Sequence, residues 1–388
     1  MKRVVFFLFS LFFFCFSVYA EEFDITGKYV TLYNMNEDML IYSKNDTKKT
    51  SIASLTKMMT TLVAIENIDD LEKVIAIKER DFDGTVGYSK AGFSVGDKVT
   101  YLDLLYGIIL PSGADAVNAI VNNTLGYNSF IKKMNETAKK IGMNDTSFAN
   151  PIGKDDENNY STSSDIAKLL KYALKNETFK KVFTTKSYKT SNGINLESTV
   201  NSYKSILNTS EILGAKSGFT KNAGRCLASI TTLNGVDYLL VVINSSTSSP
   251  SNAVKDTITI YDYYSSNYGY KNILNDDTFI KEIPVDLSKE KTYKITGNED
   301  VNKYLKNGDE VTYEYVGSDK ITFNTKKGSK LGVVNIYNGD ELIATSNVYL
   351  ENNIEYYPIV TYVLIFIGVI FILLIIRKSK KKHRRRRR

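Results

Sequence analysis

The chain has 388 residues, of which 43% are hydrophobic and 24% charged, and its formal net charge at pH 7 is +7. This length exceeds what one ordinary hydrophobic core serves, so we expect more than one domain. The single histidine, His383, lies in the C-terminal tail, which excludes a Ser-His-Asp hydrolase and a histidine-liganded zinc site.

The N-terminal segment has the order of a secretory signal. Two basic residues precede an apolar run over residues 4–18, and Ala20 comes just before two glutamates. This order predicts a signal peptide over residues 1–20 with cleavage after Ala20; an uncleaved N-terminal anchor is the alternative. Cleavage would leave Cys226 as the only cysteine, which excludes an intramolecular disulfide.

Residues 21–270 mix strand and helix patterns, which predicts an α/β catalytic domain. Alternating and turn-flanked segments predict two β-hairpins, one over residues 28–42 and one over residues 225–244 that turns at Asn234-Gly235. Helical periodicity and capping signals predict helices over 55–66, 101–110, from 114, 129–141, 164–175 and 253–264.

The sequence pattern changes near residue 277, where short segments of alternating apolar and polar residues begin. Residues 311–315, 321–323, 331–337 and 342–350 alternate or pair around a turn. They predict a small antiparallel β domain over residues 277–350. It carries no catalytic constellation, so a spacer or docking role is expected.

The C-terminal segment predicts a membrane anchor. Residues 356–376 are apolar apart from Pro358 and Thr361, and as a helix they would span about 31 Å, enough to cross the hydrocarbon core. The basic tail over residues 377–388 marks the cytoplasmic side, so the catalytic domain of this single-pass protein is expected on the extracytoplasmic face of the cell membrane. A nucleic-acid-binding tail is the competing interpretation.

Most of the positive charge belongs to these terminal segments. Residues 21–376 hold 38 Lys and Arg against 43 Asp and Glu, a net charge of −5. The overall basicity therefore reflects membrane topology and predicts no nucleic-acid partner.

Without histidine, a nucleophilic serine needs a lysine or a carboxylate as its base. Ser54 and Lys57 stand three residues apart, which places them side by side on a helix face. Ser-x-x-Lys also occurs at Ser129, Ser288 and Ser379, so the pair alone is a weak signal. What sets Ser54 apart is that a Ser-Gly-Ala and a Lys-Ser-Gly motif follow it in order.

The chain resembles the low-molecular-mass penicillin-binding proteins, specifically the D-alanyl-D-alanine carboxypeptidases. The family motifs S-x-x-K, S-G-N and K-[ST]-G correspond here to Ser54-Leu55-Thr56-Lys57, Ser112-Gly113-Ala114 and Lys216-Ser217-Gly218. The match continues through residues 148–153, 161–167 and 219–227. The resemblance implies a mixed or antiparallel sheet flanked by helices, as in the serine β-lactamases and transpeptidases.

The resemblance also implies roles for these residues. Ser54 would attack the penultimate D-Ala carbonyl, Lys57 would be its base, and Ser112 would relay a proton. Lys216 would lower the pKa of Lys57 and attract the substrate carboxylate, while Ser217 and Gly218 let their strand pair with the peptide. Phe219 and Ser54 would supply the backbone N–H groups of an oxyanion hole.

The second motif departs from the family, because Ala114 stands where Asn is usual. This leaves two hypotheses open: an active carboxypeptidase that trims peptidoglycan stem pentapeptides, and a scaffold that binds penicillin and peptidoglycan with weakened catalysis. A D,D-endopeptidase or a β-lactamase on the same site is a further alternative. Adjacent Asp115 is expected to point elsewhere.

The resemblance implies peptidoglycan stem peptides as substrate, β-lactams as covalent inhibitors, and neither a cofactor nor a metal. Two other patterns in the chain resemble functional motifs. Glu197 begins a segment that mimics a β-lactamase deacylation motif, but we interpret it as an exposed loop residue. The acidic residues 155–157 could bind a divalent cation, although a solvated loop is the expected interpretation.

Overall fold

The computed structural model describes residues 23–323 and 325–386, so the predicted signal peptide over residues 1–20 lies outside the described residues. The chain divides into two compact units, of which the first ends at Ser266 and the second begins at Asn267.

The strands of the first unit are β1 (Tyr29–Asn34), β2 (Met39–Lys44), β3 (Val74–Ala76), β4 (Lys98–Thr100), β5 (Ser187–Lys189), β6 (Asn195–Glu197), β7 (Gly214–Thr220), β8 (Gly224–Leu233) and β9 (Val236–Ser245). Five of them form an antiparallel sheet in the order β2-β1-β9-β8-β7, and the others form two short pairs, β3 with β4 and β5 with β6. Both predicted hairpins of the central sheet are confirmed. The turn between β8 and β9 has positive φ at Asn234 and Gly235, which the twist of a two-residue hairpin requires.

Helices pack against this sheet and surround a central helix. They are α1 (Thr56–Asn67), α2 (Tyr101–Ile109), α3 (Ala114–Asn123), α4 (Tyr127–Lys140), α5 (Ser163–Ala173), α6 (Glu177–Thr184) and α7 (Asn252–Asn267). Nine of the twelve residues of α1 are buried, so this helix runs through the core of the unit. The predicted capping box at the start of α2 is confirmed, with reciprocal hydrogen bonds between Thr100 and Asp103.

Several details of the first unit differ from the sequence predictions. The short strands β3 to β6 were not predicted, and α4 begins at Tyr127 rather than at residue 129. Helix α5 begins at Ser163 because the Thr162 hydroxyl caps it by accepting from the Asp165 N–H, so the predicted start was late. Helix α6 was not predicted, because it has only eight residues and its main sequence signal is the N-cap residue Asn176. Glu197 is exposed as expected but lies in β6 rather than in a loop.

The second unit is a small β domain, as predicted, with its own core that includes Ile295, Val334 and Ile336. Its strands are β10 (Tyr268–Leu274), β11 (Phe279–Pro284), β12 (Thr292–Thr296), β13 (Val301–Lys306), β14 (Val311–Gly317), β15 (Lys330–Asn338) and β16 (Glu341–Tyr349). The first four were not predicted, because mixed polar and charged residues obscure their alternation. The alternation at Ile321 and Phe323 does not form a strand: Ile321 makes only an isolated bridge with Val285.

The last helix, α8, spans Ile359–Arg386. It starts three residues later than predicted, directly after Pro358, whose ring is compatible with a helix start but not with a helix interior. Its segment Thr361–Ser379 has a mean hydropathy of 2.3 and is long and apolar enough to cross a membrane, by length and composition. The structure therefore contains a candidate membrane anchor at the predicted place.

Candidate active site

Ser54 lies just before the N-terminus of the central helix α1. It sits in a single turn of 3-10 helix, Ala53–Leu55, which runs directly into α1 and places Lys57 one turn further on. The Lys57 amine nitrogen Nζ donates to Ser54 Oγ at 2.9 Å and to the Ile152 carbonyl oxygen at 2.7 Å. A serine hydroxyl and a lysine amine are therefore in direct contact, as the i, i+3 spacing indicated.

The environment of Lys57 favours the neutral amine. The side chain is only 1% exposed, and burial lowers the pKa of Lys57 to about 7, against a smaller raising effect of the Asp115 carboxylate. A lysine in water carries its proton until far higher pH. Lys57 is thus poised to accept a proton near neutral pH, which a general base must do.

The backbone around Ser54 is held in an unusual conformation. Ala53 has φ of +48°, a left-handed value that residues with a Cβ rarely adopt. Gly153 packs against this turn so closely that a Cβ there would lie 2.0 Å from the Ala53 carbonyl oxygen. The segment that carries the Ile152 carbonyl thus also braces the turn before Ser54.

Ser112 enters the site from the loop before α3. Its φ is +67°, so Ser112, like Ala53, is a non-glycine residue in the left-handed region. At Gly113 a Cβ would lie 2.7 Å from the Ala91 nitrogen, which explains why glycine stands there. The Asp115 carboxylate accepts from the N–H groups of Ala91 and Gly92, at 2.7 and 3.2 Å, and so points away from the site as expected.

Ala114 stands where the family motif has asparagine. It is fully buried at the start of α3, and its N–H donates to the Ser89 carbonyl at 2.8 Å. Ser112, two residues earlier, lines the cleft, whereas Ala114 does not. The second motif therefore contributes one polar side chain to the site.

Lys216 comes from the edge strand β7 and is fully buried. Its Nζ donates to the Ser217 carbonyl at 2.9 Å, and burial, followed by repulsion from Lys57, lowers the pKa of Lys216 well below its usual value. The repulsion between the two amines disfavours the state in which both are charged. The effect of Lys216 on the pKa of Lys57 stays a prediction.

The remaining residues of the third motif shape the edge of the cleft. A Cβ on Gly218 would lie 3.0 Å from the Ser54 nitrogen, so glycine allows β7 to approach the nucleophile turn closely. Ser217 Oγ hydrogen-bonds Thr199 Oγ1 at 2.6 Å. Phe219 keeps 48% of its surface exposed. Among the strands that the structure describes, none pairs with β7 on the outer side of the sheet.

These residues meet in a cleft of about 570 Å³ that Ser54, Ser112, Ser217, Gly218 and Phe219 all line. The sequence analysis did not identify residues 86–89, which also line the cleft. The loop that follows them is fixed by the hydrogen bond from the Ala91 N–H to the Asp115 carboxylate. Thr199 and the bracing role of Gly153 were missed as well. These contributions depend on contacts between distant segments, and the only sequence signal for them was the wider family match around residues 148–153.

The acidic residues 155–157 remain exposed, as interpreted from the sequence. Asp155 nevertheless reaches the site, where its carboxylate accepts from the Thr220 hydroxyl at 2.7 Å. Among the residues that the structure describes, no cluster of His, Cys, Asp or Glu side chains could hold a metal ion.

Comparison with known protein families gives two matches along the chain. Residues 17–247 match the family described as D-alanyl-D-alanine carboxypeptidase. Residues 268–356 match the domain described as penicillin-binding protein 5, C-terminal domain. The first match covers more than half of the chain.

Similar proteins include two bacterial carboxypeptidases. The D-alanyl-D-alanine carboxypeptidase DacF of Bacillus subtilis is 28% identical over 350 residues, covering 88% of this chain and 90% of the relative. A D-alanyl-D-alanine carboxypeptidase of Streptomyces strain K15 is 33% identical over 227 residues, covering 54% of this chain and 78% of the relative.

Solved structures show the same fold. Penicillin-binding protein 5 from Haemophilus influenzae superposes with a TM-score of 0.62 at 22% identity, covering 87% of this chain and 99% of that one. The Streptomyces K15 DD-transpeptidase superposes with a TM-score of 0.56 at 30% identity, covering 63% of this chain and 98% of that one.

Proposed function

Because the chain belongs to the D-alanyl-D-alanine carboxypeptidase family, we propose that it removes the terminal D-Ala of peptidoglycan stem pentapeptides through an acyl-enzyme on Ser54. The chain is a serine-type peptidase of the hydrolase class, in a family that acts on peptidoglycan and binds β-lactams. The observation that carries the assignment of residues is the 2.9 Å contact between Ser54 Oγ and the buried Lys57 amine.

In the first step, Ser54 Oγ attacks the carbonyl carbon of the penultimate D-Ala and gives its proton to Lys57 Nζ. The amine can accept this proton because burial lowers the pKa of Lys57 to about 7. The Ile152 carbonyl holds the nitrogen in place from the other side, at 2.7 Å, and it also accepts a hydrogen bond from the protonated amine that forms.

The negative charge that develops on the substrate carbonyl oxygen must be stabilised by hydrogen-bond donors. We assign this role to the backbone N–H groups of Ser54 and Phe219, which stand on the two elements that Gly218 allows to approach each other. Each such donor typically contributes about 3 kcal/mol to transition-state stabilisation.

Collapse of the tetrahedral intermediate breaks the peptide bond and releases D-Ala, whose amine must take up a proton. We assign Ser112 to pass that proton from Lys57, because Ser112 lines the same cleft as Ser54. Water then attacks the acyl-enzyme, with Lys57 again as base, and restores the Ser54 hydroxyl.

The proposed location is the extracytoplasmic face of the cell membrane, with α8 as a single-pass anchor. The support is the length and apolar composition of Thr361–Ser379 together with the lysines and arginines that follow it. Recovery of the full-length protein in the soluble fraction, with its C-terminus intact, would contradict this part of the proposal.

The decisive experiment measures D-Ala released from a stem pentapeptide by the purified protein and by its Ser54→Ala and Lys57→Met variants. We expect release by the parent protein and loss in both variants. Labelling by a fluorescent penicillin that persists in Ser54→Ala would refute the nucleophile.

Two alternatives have specific support and different outcomes. The weakened scaffold rests on Ala114, and penicillin labelling without D-Ala release from a folded protein would favour it. The endopeptidase rests on a D-alanyl-D-alanine endopeptidase of Escherichia coli that is 28% identical over 243 residues, covering 58% of this chain and 74% of the relative. Faster cleavage of a cross-linked dimer than of the pentapeptide would favour it.

A further inference from the structure

Leu287 is an exposed leucine in a backbone conformation that leucine rarely adopts. It lies in the turn between β11 and β12, where its φ is +53°, and 52% of its surface is exposed. A left-handed φ is an outlier for a bulky residue, whereas glycine or asparagine adopts it at lower cost. Neither the geometry of this turn nor burial within the domain therefore explains a leucine at this position.

This turn is hydrogen-bonded to the segment that leads into α8. The Leu287 carbonyl accepts from the Tyr357 N–H at 2.8 Å, and the Lys289 N–H donates to the Glu355 carbonyl at 3.0 Å. The side chains of Lys289 and Glu355 form an ion pair at 2.7 Å. The turn and residues 355–357 thus form a short antiparallel pair, which holds Leu287 beside the foot of α8.

The same segment is fastened to the rest of the β domain through Tyr356. Its hydroxyl donates to the carbonyl oxygens of Thr322 and Thr325, at 3.1 and 3.2 Å. Its ring meets that of Phe323 edge-on, with 5.4 Å between the centroids. The position of Leu287 relative to the start of α8 is therefore set by several contacts rather than by one.

The distance from this turn to the candidate membrane span is short. Helix α8 begins at Ile359, and its apolar span begins at Thr361. Two extended residues cover at most about 7 Å and two helical residues about 3 Å, so Tyr357 lies within about 10 Å of Thr361. The headgroup layer beside the hydrocarbon core is about 5–8 Å thick. When α8 spans a bilayer, Leu287 therefore lies at the level of the headgroups.

The exposed side chains at this level suit a lipid interface. Tyr357 keeps 45% of its surface exposed and Tyr362, in the first turn of α8, keeps 59%. Tyrosine is enriched at the boundary between membrane and water, and apolar side chains beside it enter the boundary between headgroups and acyl chains. Burial of Leu287 in lipid would offset the cost of its backbone conformation.

We propose that the turn between β11 and β12 is a second membrane contact, in which Leu287 enters the headgroup layer of the bilayer that α8 spans. Two points of attachment restrict the tilt of the β domain on the membrane, whereas α8 alone leaves that tilt free. The inference rests on the proposed location of the protein and adds a contact that the anchor itself does not supply.

The test uses tryptophan fluorescence, because the chain contains no tryptophan. Single reporters Leu287→Trp, Leu342→Trp and Tyr362→Trp are placed in the full chain and reconstituted into phosphatidylcholine–phosphatidylglycerol vesicles, with or without a lipid that carries a nitroxide quencher near its headgroup. Leu342 is the matched control: it is a leucine with 49% of its surface exposed, about 23 Å along β16 from Tyr349.

We expect the nitroxide lipid to quench the reporters at positions 287 and 362 and to leave the reporter at position 342 nearly unchanged. Quenching at 362 with no more quenching at 287 than at 342 overturns the inference and leaves the proposed location intact. Equal, strong quenching at 287 and 342 also overturns it, because contact is then not specific to the turn. A blue-shifted emission at 287 that the lipid does not quench indicates a protein contact and overturns it too. Absence of quenching at 362 contradicts the proposed location, and the inference fails with it.

A second reporter removes the influence of tryptophan at position 287 itself. Tyr357→Trp should be quenched by the same lipid, and adding Leu287→Asp should reduce that quenching because a carboxylate resists transfer out of water. Adding Leu342→Asp should have no effect. Equal quenching of the Tyr357→Trp reporter with and without Leu287→Asp would show that Leu287 does not hold the turn at the membrane.

Discussion

Substitution of Gly153 by alanine should slow the acylation of Ser54, although Gly153 is not itself a reacting residue. Gly153 has φ of +82°, and a Cβ there would lie 2.0 Å from the Ala53 carbonyl oxygen and 2.5 Å from its carbon. Real Cβ contacts are not shorter than 3.0 Å, so the two segments must separate by about 1 Å. Ala53 directly precedes Ser54, and a misplacement of about 1 Å at a reacting group typically costs about 100-fold in rate.

The same substitution should also lower stability. A residue with a Cβ in the left-handed region costs about 1–2 kcal/mol, and the clash with Ala53 adds to this strain. Gly142→Ala is the matched control, because Gly142 has nearly the same φ of +80° but nothing within 4 Å of its Cβ position. The control should lose stability through strain alone and keep its rate of acylation.

Two measurements suffice for this prediction. The rate at which a fluorescent penicillin labels Ser54 reports the position of the nucleophile, and denaturant unfolding reports stability. We expect Gly153→Ala to label about 100-fold more slowly than Gly142→Ala. Labelling rates that agree within a few-fold would refute the bracing role assigned to Gly153.

Three further predictions concern single groups. The kcat/KM for D-Ala release should rise as pH increases through about 7, because Lys57 acts as a base only after losing its proton; a flat profile across that range would contradict this. Cys226 should resist thiol reagents until the protein unfolds, because burial raises its pKa to about 12; rapid modification of native protein would argue against that burial. Ala114→Asn should lower the free energy of unfolding by about 1–3 kcal/mol, since the position is fully buried; unchanged denaturant midpoints would reveal free space there.

Local sequence signals predicted most of the first unit correctly. The turn at Asn234-Gly235, the capping box at Thr100 and the apolar periodicity of α1 each act over a few residues, so they can be interpreted without the fold. The predictions failed where contacts between distant segments decide the structure, or where the periodicity of apolar residues is weak. Helix α6 has eight residues, and the strands over 268–306 have few apolar positions, so tertiary packing decides both.

The sequence by itself determined which chemistry we propose for the site. Residues 21–376 contain no histidine, and the three ordered motifs point to Ser54 with Lys57 as its base. Only the tertiary structure decided how that chemistry is supported. The low pKa of Lys57 depends on burial by many segments, and the brace at Ala53 comes from Gly153, one hundred residues away. The pairing of β7 with β8 depends on strand register. Burial, steric contact and register are properties of packed segments, and residue spacing along the chain does not encode them directly.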